Sequence, residues 1–261
     1  MDFGLKNKTA LVLGGGGGLG RAIANALAAE GASIAIAGRH RASIEATQAE
    51  LAPTGCRSIA LEWDLADLTV IDANISRIEQ ELAPVDILIN NTGGPPPTPA
   101  GGQPPELWAK QFQSMVLSVI AITDRVLPGM KQRHSGRIIT STSSGIVAPI
   151  PNLGLSNALR LSLVGWSKTL AREVAGDGIT VNVVVPGRIA TERVKFLDQS
   201  RAAREGRSVE EIVAESERSI PVGRYGRPEE YGDAVAFLAS NRASYITGSI
   251  LRVDGGMIAG I

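Results

Sequence analysis

The sequence predicts a doubly wound α/β domain, with one parallel sheet held between two layers of helices. Two observations carry this. Apolar runs of strand length alternate with segments of helical spacing along the whole chain, and runs such as Ala10-Leu11-Val12-Leu13, Ile34-Ala35-Ile36-Ala37 and Ile87-Leu88-Ile89 are continuous rather than alternating. A strand covered by helices on both faces reads that way, and right-handed crossovers between parallel strands then leave few topologies other than the doubly wound one. The 261 residues show no composition shift that marks a boundary, so 1–261 is expected to form a single domain.

Each element follows in order. Thr9 to Leu13 is a strand that feeds five consecutive glycines, Gly14 to Gly18, and Leu19, Ile23, Ala26 and Leu27 then fall at helical spacing. Ser33 to Ala37 is the second strand, ending at Gly38-Arg39-His40-Arg41. A helix from Ala42 to Ala52 stops at Pro53, Ser58 to Glu62 forms strand three before Trp63-Asp64-Leu65, and a helix over Leu68 to Leu82 precedes strand four, Asp86 to Asn90. The loop Asn90-Asn91-Thr92-Gly93-Gly94-Pro95-Pro96-Pro97-Thr98-Pro99 leaves the carboxyl end of a strand, where open α/β sheets bind ligands. A long helix from Pro105 to Arg133 carries Leu107, Phe112, Met115, Val119, Ile122, Val126 and Met130 as its core stripe. Strand five, Gly136 to Thr140, runs into Ser141-Thr142-Ser143-Ser144. A helix over Asn152 to Ala175, strand six at Thr180 to Val185 and the turn Pro186-Gly187-Arg188-Ile189-Ala190-Thr191 follow. Residues 192–220 are polar and charged, the expected mobile substrate lid. Pro228-Glu229-Glu230 opens another helix, and Ser249 to Val253 is the last strand.

Composition narrows the function. With 26 basic and 26 acidic residues the net charge is zero, which announces neither nucleic acid nor an anionic membrane surface. The single cysteine, Cys56, rules out an internal disulfide framework and fits a reducing compartment. No apolar run approaches the ~18 residues of a membrane helix, and the N-terminus has no basic-then-apolar signal pattern, so a soluble, cytoplasmic protein is expected. No Cys/His/Asp/Glu cluster has metal-ligand spacing, and Ser143 lacks the His-Asp partners of a hydrolase.

The glycine stretch points to a ligand. A strand, a tight turn and a helix N-terminus bring bare backbone N–H groups and the positive end of a helix dipole against a phosphate, and glycine removes the Cβ that would hold it off. A dinucleotide is the expected guest, with Gly14, Gly16, Gly17, Gly18, Leu19 and Gly20 forming the cradle. The tip of the second strand, about 20 residues on, offers Arg39 and Arg41 and no acid. A 2′-hydroxyl calls for a carboxylate there and a 2′-phosphate for positive charge, which favours NADP(H) over NAD(H).

In order along the chain, Gly14, Gly18 and Gly20, then Asp64, Asn90-Asn91-Thr92-Gly93, Pro186-Gly187 with Thr191, and Asp254-Gly255-Gly256 resemble the short-chain dehydrogenase/reductase family over essentially the whole length. Leu13 departs from the family's usual threonine. The resemblance implies a Rossmann-type fold and an NAD(P)-dependent oxidoreductase, and it implies that Asp64 and Leu65 lie near the adenine, that Asn91, Thr92 and Gly93 line the cofactor crevice, and that Pro186, Gly187, Ile189 and Thr191 hold the nicotinamide end. Dimers or tetramers are implied too.

The resemblance breaks at the catalytic centre. Alignment on Gly165-Trp166-Ser167-Lys168 places Ser143 at the family's carbonyl-polarising serine, but Ser156 at its proton-donating tyrosine and Arg160 at its lysine; Met115 stands where an asparagine is usual. A serine hydroxyl is a far weaker acid than a phenol of pKa about 10, and a guanidinium anchors ribose hydroxyls without acting as acid or base. Two functions follow as expectations: carbonyl–alcohol interconversion by hydride transfer with an altered proton relay through Ser143, Ser156 and Arg160, or dinucleotide binding without turnover, as a sensor or hetero-oligomer partner. Among other polar candidates, Tyr225 is expected to pack, His40 and His134 lie away from catalysis, and Arg188 and Lys195 stand where they would meet an anionic substrate group.

Overall fold

The computed structural model describes residues 2–260. Seven strands form one sheet in the order β3-β2-β1-β4-β5-β6-β7. They are β1 Thr9–Leu13, β2 Ser33–Gly38, β3 Ser58–Glu62, β4 Ile87–Asn90, β5 Gly136–Ser141, β6 Ile179–Pro186 and β7 Ile250–Val253, and every pairing is parallel. The order reverses at β1 and β4, whose carboxyl ends flank the switch point of the sheet.

Alternation within each strand divides its side chains between two cores. In β1, Ala10 and Val12 join the core on one face and Leu11 and Leu13 that on the other; Ile34 and Ile36 oppose Ala35 and Ala37 in β2, and Ile87 and Ile89 oppose Leu88 in β4. Continuous apolar runs are what two buried faces demand. On the first face α1 (Gly18–Ala29) packs against α9 (Pro228–Ala239), closely enough that a Cβ on Gly232 would stand 2.6 Å from the Ala22 carbonyl oxygen. Also on the sheet lie α2 (Arg41–Leu51) and α3 (Ile71–Glu81), and the chain continues through α4 (Pro105–Phe112), α5 (Ser118–Gln132) and α6 (Gly154–Val174).

The expected helix of 105–133 is interrupted by a π-helical turn, Gln113–Leu117. One inserted residue rotates the face before it by roughly 100° relative to the face after it. Met115, Val119, Ile122, Val126 and Met130 are buried accordingly, whereas Phe112, expected in the same stripe, is 42% exposed. Met115 packs with Val116, Val119, Leu155, Leu159 and Leu163, which joins this segment to α6 beside the sheet's carboxyl end. Residues 192–220 contain two helices, α7 (Glu192–Glu205) and α8 (Val209–Arg218). Thr191 caps α7 and Ser208 forms a capping box with Glu211 at the start of α8.

Candidate active site

Above the carboxyl ends of the strands lies a cavity of about 1600 Å³. Its floor at one end is the turn after β1. Gly14 has φ 61° and Gly18 φ 50°, left-handed values that favour glycine, and the Asn91 amide nitrogen donates to the carbonyls of Leu13 (3.2 Å) and Gly14 (3.4 Å), tying this turn to the end of β4. Gly17 is the N-cap of α1 with no side-chain cap, and no acid stands in the first turn. The leading N–H groups of the helix are thus left for an outside acceptor. A Cβ on Gly17 would meet no protein atom, so the bare backbone faces open space. This cradle fits the phosphates of a dinucleotide.

Gly14, Gly16, Gly17, Gly18 and Leu19 line the cavity with Arg39, Asp64, Leu65, Asn91, Thr92, Gly93, Pro186, Gly187, Ile189 and Thr191. Two expected cofactor residues stand apart. Gly20 turns inward: a Cβ there would collide with the Gly14 carbonyl, so this glycine serves the close approach of helix and turn. Arg41 does not line the cavity; its Nε donates to Glu45 Oε1 at 2.8 Å on the exposed face of α2, the ordinary pairing of an (i, i+4) spacing. Arg39 lines the rim with His40 and has no acidic partner among the described residues.

The other end of the cavity holds Ser143, Ser156 and Arg160 together. Ser143 caps the short turn after β5: its Oγ accepts from the Gly145 N–H at 3.1 Å, which leaves its O–H free to donate. Asn157 holds the segment beyond, its amide nitrogen donating to the Ile150 carbonyl at 2.9 Å. Ser156, one turn before Arg160 on α6, is 6% exposed. Arg160 is 8% exposed and donates to three carbonyls, Ser141 (3.3 Å), Thr92 (3.2 Å) and Gly93 (3.3 Å), clamping the end of β5 to the loop after β4. Burial, with the like charge of Arg193, pulls its pKa from 12.5 down to about 10, so it is a cation at neutral pH.

Residues 15–258 match the protein family described as Enoyl-(Acyl carrier protein) reductase. Over 260 residues the chain is 38% identical to 3-oxoacyl-(acyl-carrier-protein) reductase FabG of Escherichia coli (strain K12), covering 98% of this chain and 99% of that protein. The chain belongs to the short-chain dehydrogenase/reductase family. It is an NAD(P)-dependent oxidoreductase by that membership. Among solved family structures, L-sorbose reductase from Gluconobacter frateurii, complexed with NADPH and L-sorbose, superposes with a TM-score of 0.94 at 30% identity, covering 100% of both chains. A single-residue variant of actinorhodin polyketide ketoreductase with NADPH gives 0.91 at 30% identity over 96% of this chain and 97% of that one.

In this short-chain dehydrogenase/reductase no tyrosine and no lysine lines the cavity among the described residues. Tyr231 is wholly buried, sharing a 2.8 Å hydrogen bond with Ser141 Oγ, and burial pushes its phenol well above the usual range. Tyr225 donates to Asp198 Oδ2 at 2.9 Å, and Tyr245 is fully exposed. Arg188, expected to meet an anionic substrate, is spent on Asp198: its Nη2 pairs with Oδ1 and its Nε bonds the Tyr225 hydroxyl at 3.2 Å. Lys195 is exposed, stands 4.0 Å from Glu192 and does not line the cavity.

Sequence reasoning passed over Arg193. It lies in the first turn of α7, its Nη2 donating to the Pro95 carbonyl at 2.7 Å and its guanidinium carbon 5.6 Å from the centre of the Phe196 ring. The available signal was a cation at a helix N-terminus, where the dipole favours an acid. No group of three or more His, Cys, Asp or Glu that would hold a metal occurs among the described residues, and no helix described is long and apolar enough to cross a membrane.

Proposed function

We propose that this enzyme interconverts a carbonyl and an alcohol with NADP(H), using a proton relay without tyrosine or lysine. The observation that carries the reading is the continuous cavity joining the glycine cradle to Ser143, Ser156 and Arg160. The relatives bound to NADPH, and Arg39 lining the cavity with no acidic partner among the described residues, support NADP(H).

When bound, the dinucleotide supplies or takes the hydride. Gly14, Gly16, Gly17, Gly18 and Leu19 hold its phosphates, Arg39 the 2′-phosphate, Asp64 and Leu65 the adenine end, and Asn91, Thr92 and Gly93 the crevice wall; Pro186, Gly187, Ile189 and Thr191 cover the nicotinamide. Ser143 donates its free O–H to the substrate oxygen and so stabilises the charge that develops there. Arg160 anchors the ribose and keeps a fixed positive charge beside the site without giving up a proton. Ser156 passes a proton from water or from the substrate itself, since its own acidity is too low for it to be the source. The same reading takes 1–261 as one domain in which 192–220 closes over substrate, and takes the protein to assemble as a homo-oligomer.

NADPH binding followed by fluorescence, with consumption followed across a panel of aldehydes, ketones and oxo acids, tests this. Turnover that falls at least 100-fold in Ser143→Ala, with NADPH affinity unchanged, is the expected result, because one donor to the developing charge is worth about 10²–10³ in rate. Binding without oxidation of NADPH by any carbonyl would overturn it in favour of a binding protein without turnover. The double variant Ser156→Tyr, Arg160→Lys is expected to raise activity on simple carbonyls if the missing pair limits the ordinary chemistry.

A further inference from the structure

Six arginines line the cavity, and the acids answer only half of them. Arg21 pairs with Glu50 at 3.1 Å, Arg188 with Asp198, and Arg201 with Glu205 at 2.9 Å and with Glu215. Arg39, exposed on the rim, is accounted for by the cofactor's 2′-phosphate. Arg160 and Arg193 are the other two, and neither meets a carboxylate among the described residues. Arg160 is buried and Arg193 half-buried, and burial lowers the pKa of each; a guanidinium stays charged in proteins. Two like charges sit at the same cavity without a carboxylate counter-ion among the described residues, an arrangement that a ligand bringing negative charge would relieve.

Arg193 is the freer of the two. Arg160 spends its guanidinium on three carbonyls, whereas Arg193 gives one hydrogen bond, to Pro95, so most of its five N–H donors have no protein acceptor among the described residues. Phe196 beneath its face holds the planar fork in place. Its position also separates it from the phosphate cradle. Arg193 leans on Gly94 and Pro95 and feels Arg160, which in turn holds Thr92, Gly93 and Ser141, two residues before Ser143. The positive pair therefore borders the carbonyl-reducing end, while the glycine turn and the N-terminus of α1 serve the phosphates.

We infer that Arg193 is the receptor for a carboxylate carried by the substrate, so that this enzyme works on oxo acids and hydroxy acids in preference to neutral carbonyl compounds. The inference rests on the oxidoreductase reading above for the word substrate, and on the cavity alone for the anion site. A guanidinium fork meets a carboxylate with two parallel N–H···O bonds, which gives orientation as well as affinity.

The test compares pyruvate, acetoacetate and levulinate with their methyl esters. In the wild type the best of these acids is expected to exceed its ester at least tenfold, both in kcat/KM and in affinity for the protein–NADP+ complex measured calorimetrically. Arg193→Met keeps the stem over Phe196 and removes the charge; it is expected to bring the acid down to the ester while leaving the ester and the NADPH dissociation constant within twofold. Arg193→Lys keeps charge without the fork and is expected to fall between. Loss of NADPH affinity by tenfold in Arg193→Met would overturn the inference, making Arg193 a cofactor-phosphate ligand, as would acids that bind no better than esters. Calorimetric binding requires no turnover, so an acid that binds through Arg193 but is never reduced would refute the oxidoreductase reading and leave the anion site standing.

Discussion

Replacing Arg188 by methionine tests the bond that holds α7 to the segment after β6. Asp198, on α7, is 1% exposed and has two partners, the Arg188 guanidinium and the Tyr225 hydroxyl at 2.9 Å; the Arg188 side chain is 25% exposed and lies 5.3 Å above the Tyr225 ring. The two halves of the pair are therefore unequal. Removing the arginine strands a carboxylate that has no route to water, which costs about 3–5 kcal/mol. Removing the acid by Asp198→Asn leaves a guanidinium that turns its exposed quarter to solvent, at about 1–3 kcal/mol. At roughly 2–4 °C per kcal/mol for a chain of this size, Arg188→Met is expected to lower Tm by about 6–20 °C, and more than Asp198→Asn does. The double variant Arg188→Met, Asp198→Leu removes both charges and is expected to recover part of the loss. Calorimetric unfolding of the set, with trypsin cleavage of α7 at Lys195 as a local readout, checks this. Equal and additive losses in the two single variants, or a larger loss in Asp198→Asn, would refute the reasoning that burial of the acid sets the asymmetry.

Two glycines of the cradle are expected to fail in different ways. Gly17→Ala adds a Cβ that meets no protein atom, so its Tm is expected to stay within a few degrees of wild type while NADPH binding weakens; Gly20→Ala drives a methyl into the Gly14 carbonyl and is expected to lower Tm even without cofactor. Arg39→Ala is expected to weaken NADPH roughly 10- to 100-fold, the worth of a charge-assisted contact, and to leave NADH unchanged, as measured by fluorescence titration. Acid stability is expected to report the ion pairs between α7 and α8. Hydrogen bonds from Arg201 and Arg207 hold the Glu215 carboxyl at about 2, below its ordinary 4.5. A depressed folded-state pKa stabilises above the unfolded value, and that contribution is lost as pH falls from about 4.5 toward 2. Glu215→Gln is expected to unfold less steeply than wild type across that window in thermal scans, and an unchanged slope would contradict the pairing.

Much of the architecture was legible because it rests on local chemistry. Continuous apolar runs, the five glycines and Pro53 each constrain the backbone next to them, and the strands and helices fall within a few residues of their expected places. Phe112 escaped because a π-helical turn shifts the phase of its stripe, and periodicity counts residues without seeing an insertion in the hydrogen-bond ladder. Gly20 and Arg41 fit a sequence pattern for cofactor contact, but direction is not a property of spacing: one faces the Gly14 carbonyl and the other its own helix partner.

The sequence by itself determined the sheet and the glycine turn at its carboxyl edge, since each is written in residue types and short separations. Tertiary structure alone decided which charges are answered. Arg188 and Arg193, five residues apart, look interchangeable as letters, yet one is neutralised by a buried aspartate ten residues on and the other faces the cavity with an open fork. Charge is carried by the side chain, but its partner is chosen by the fold.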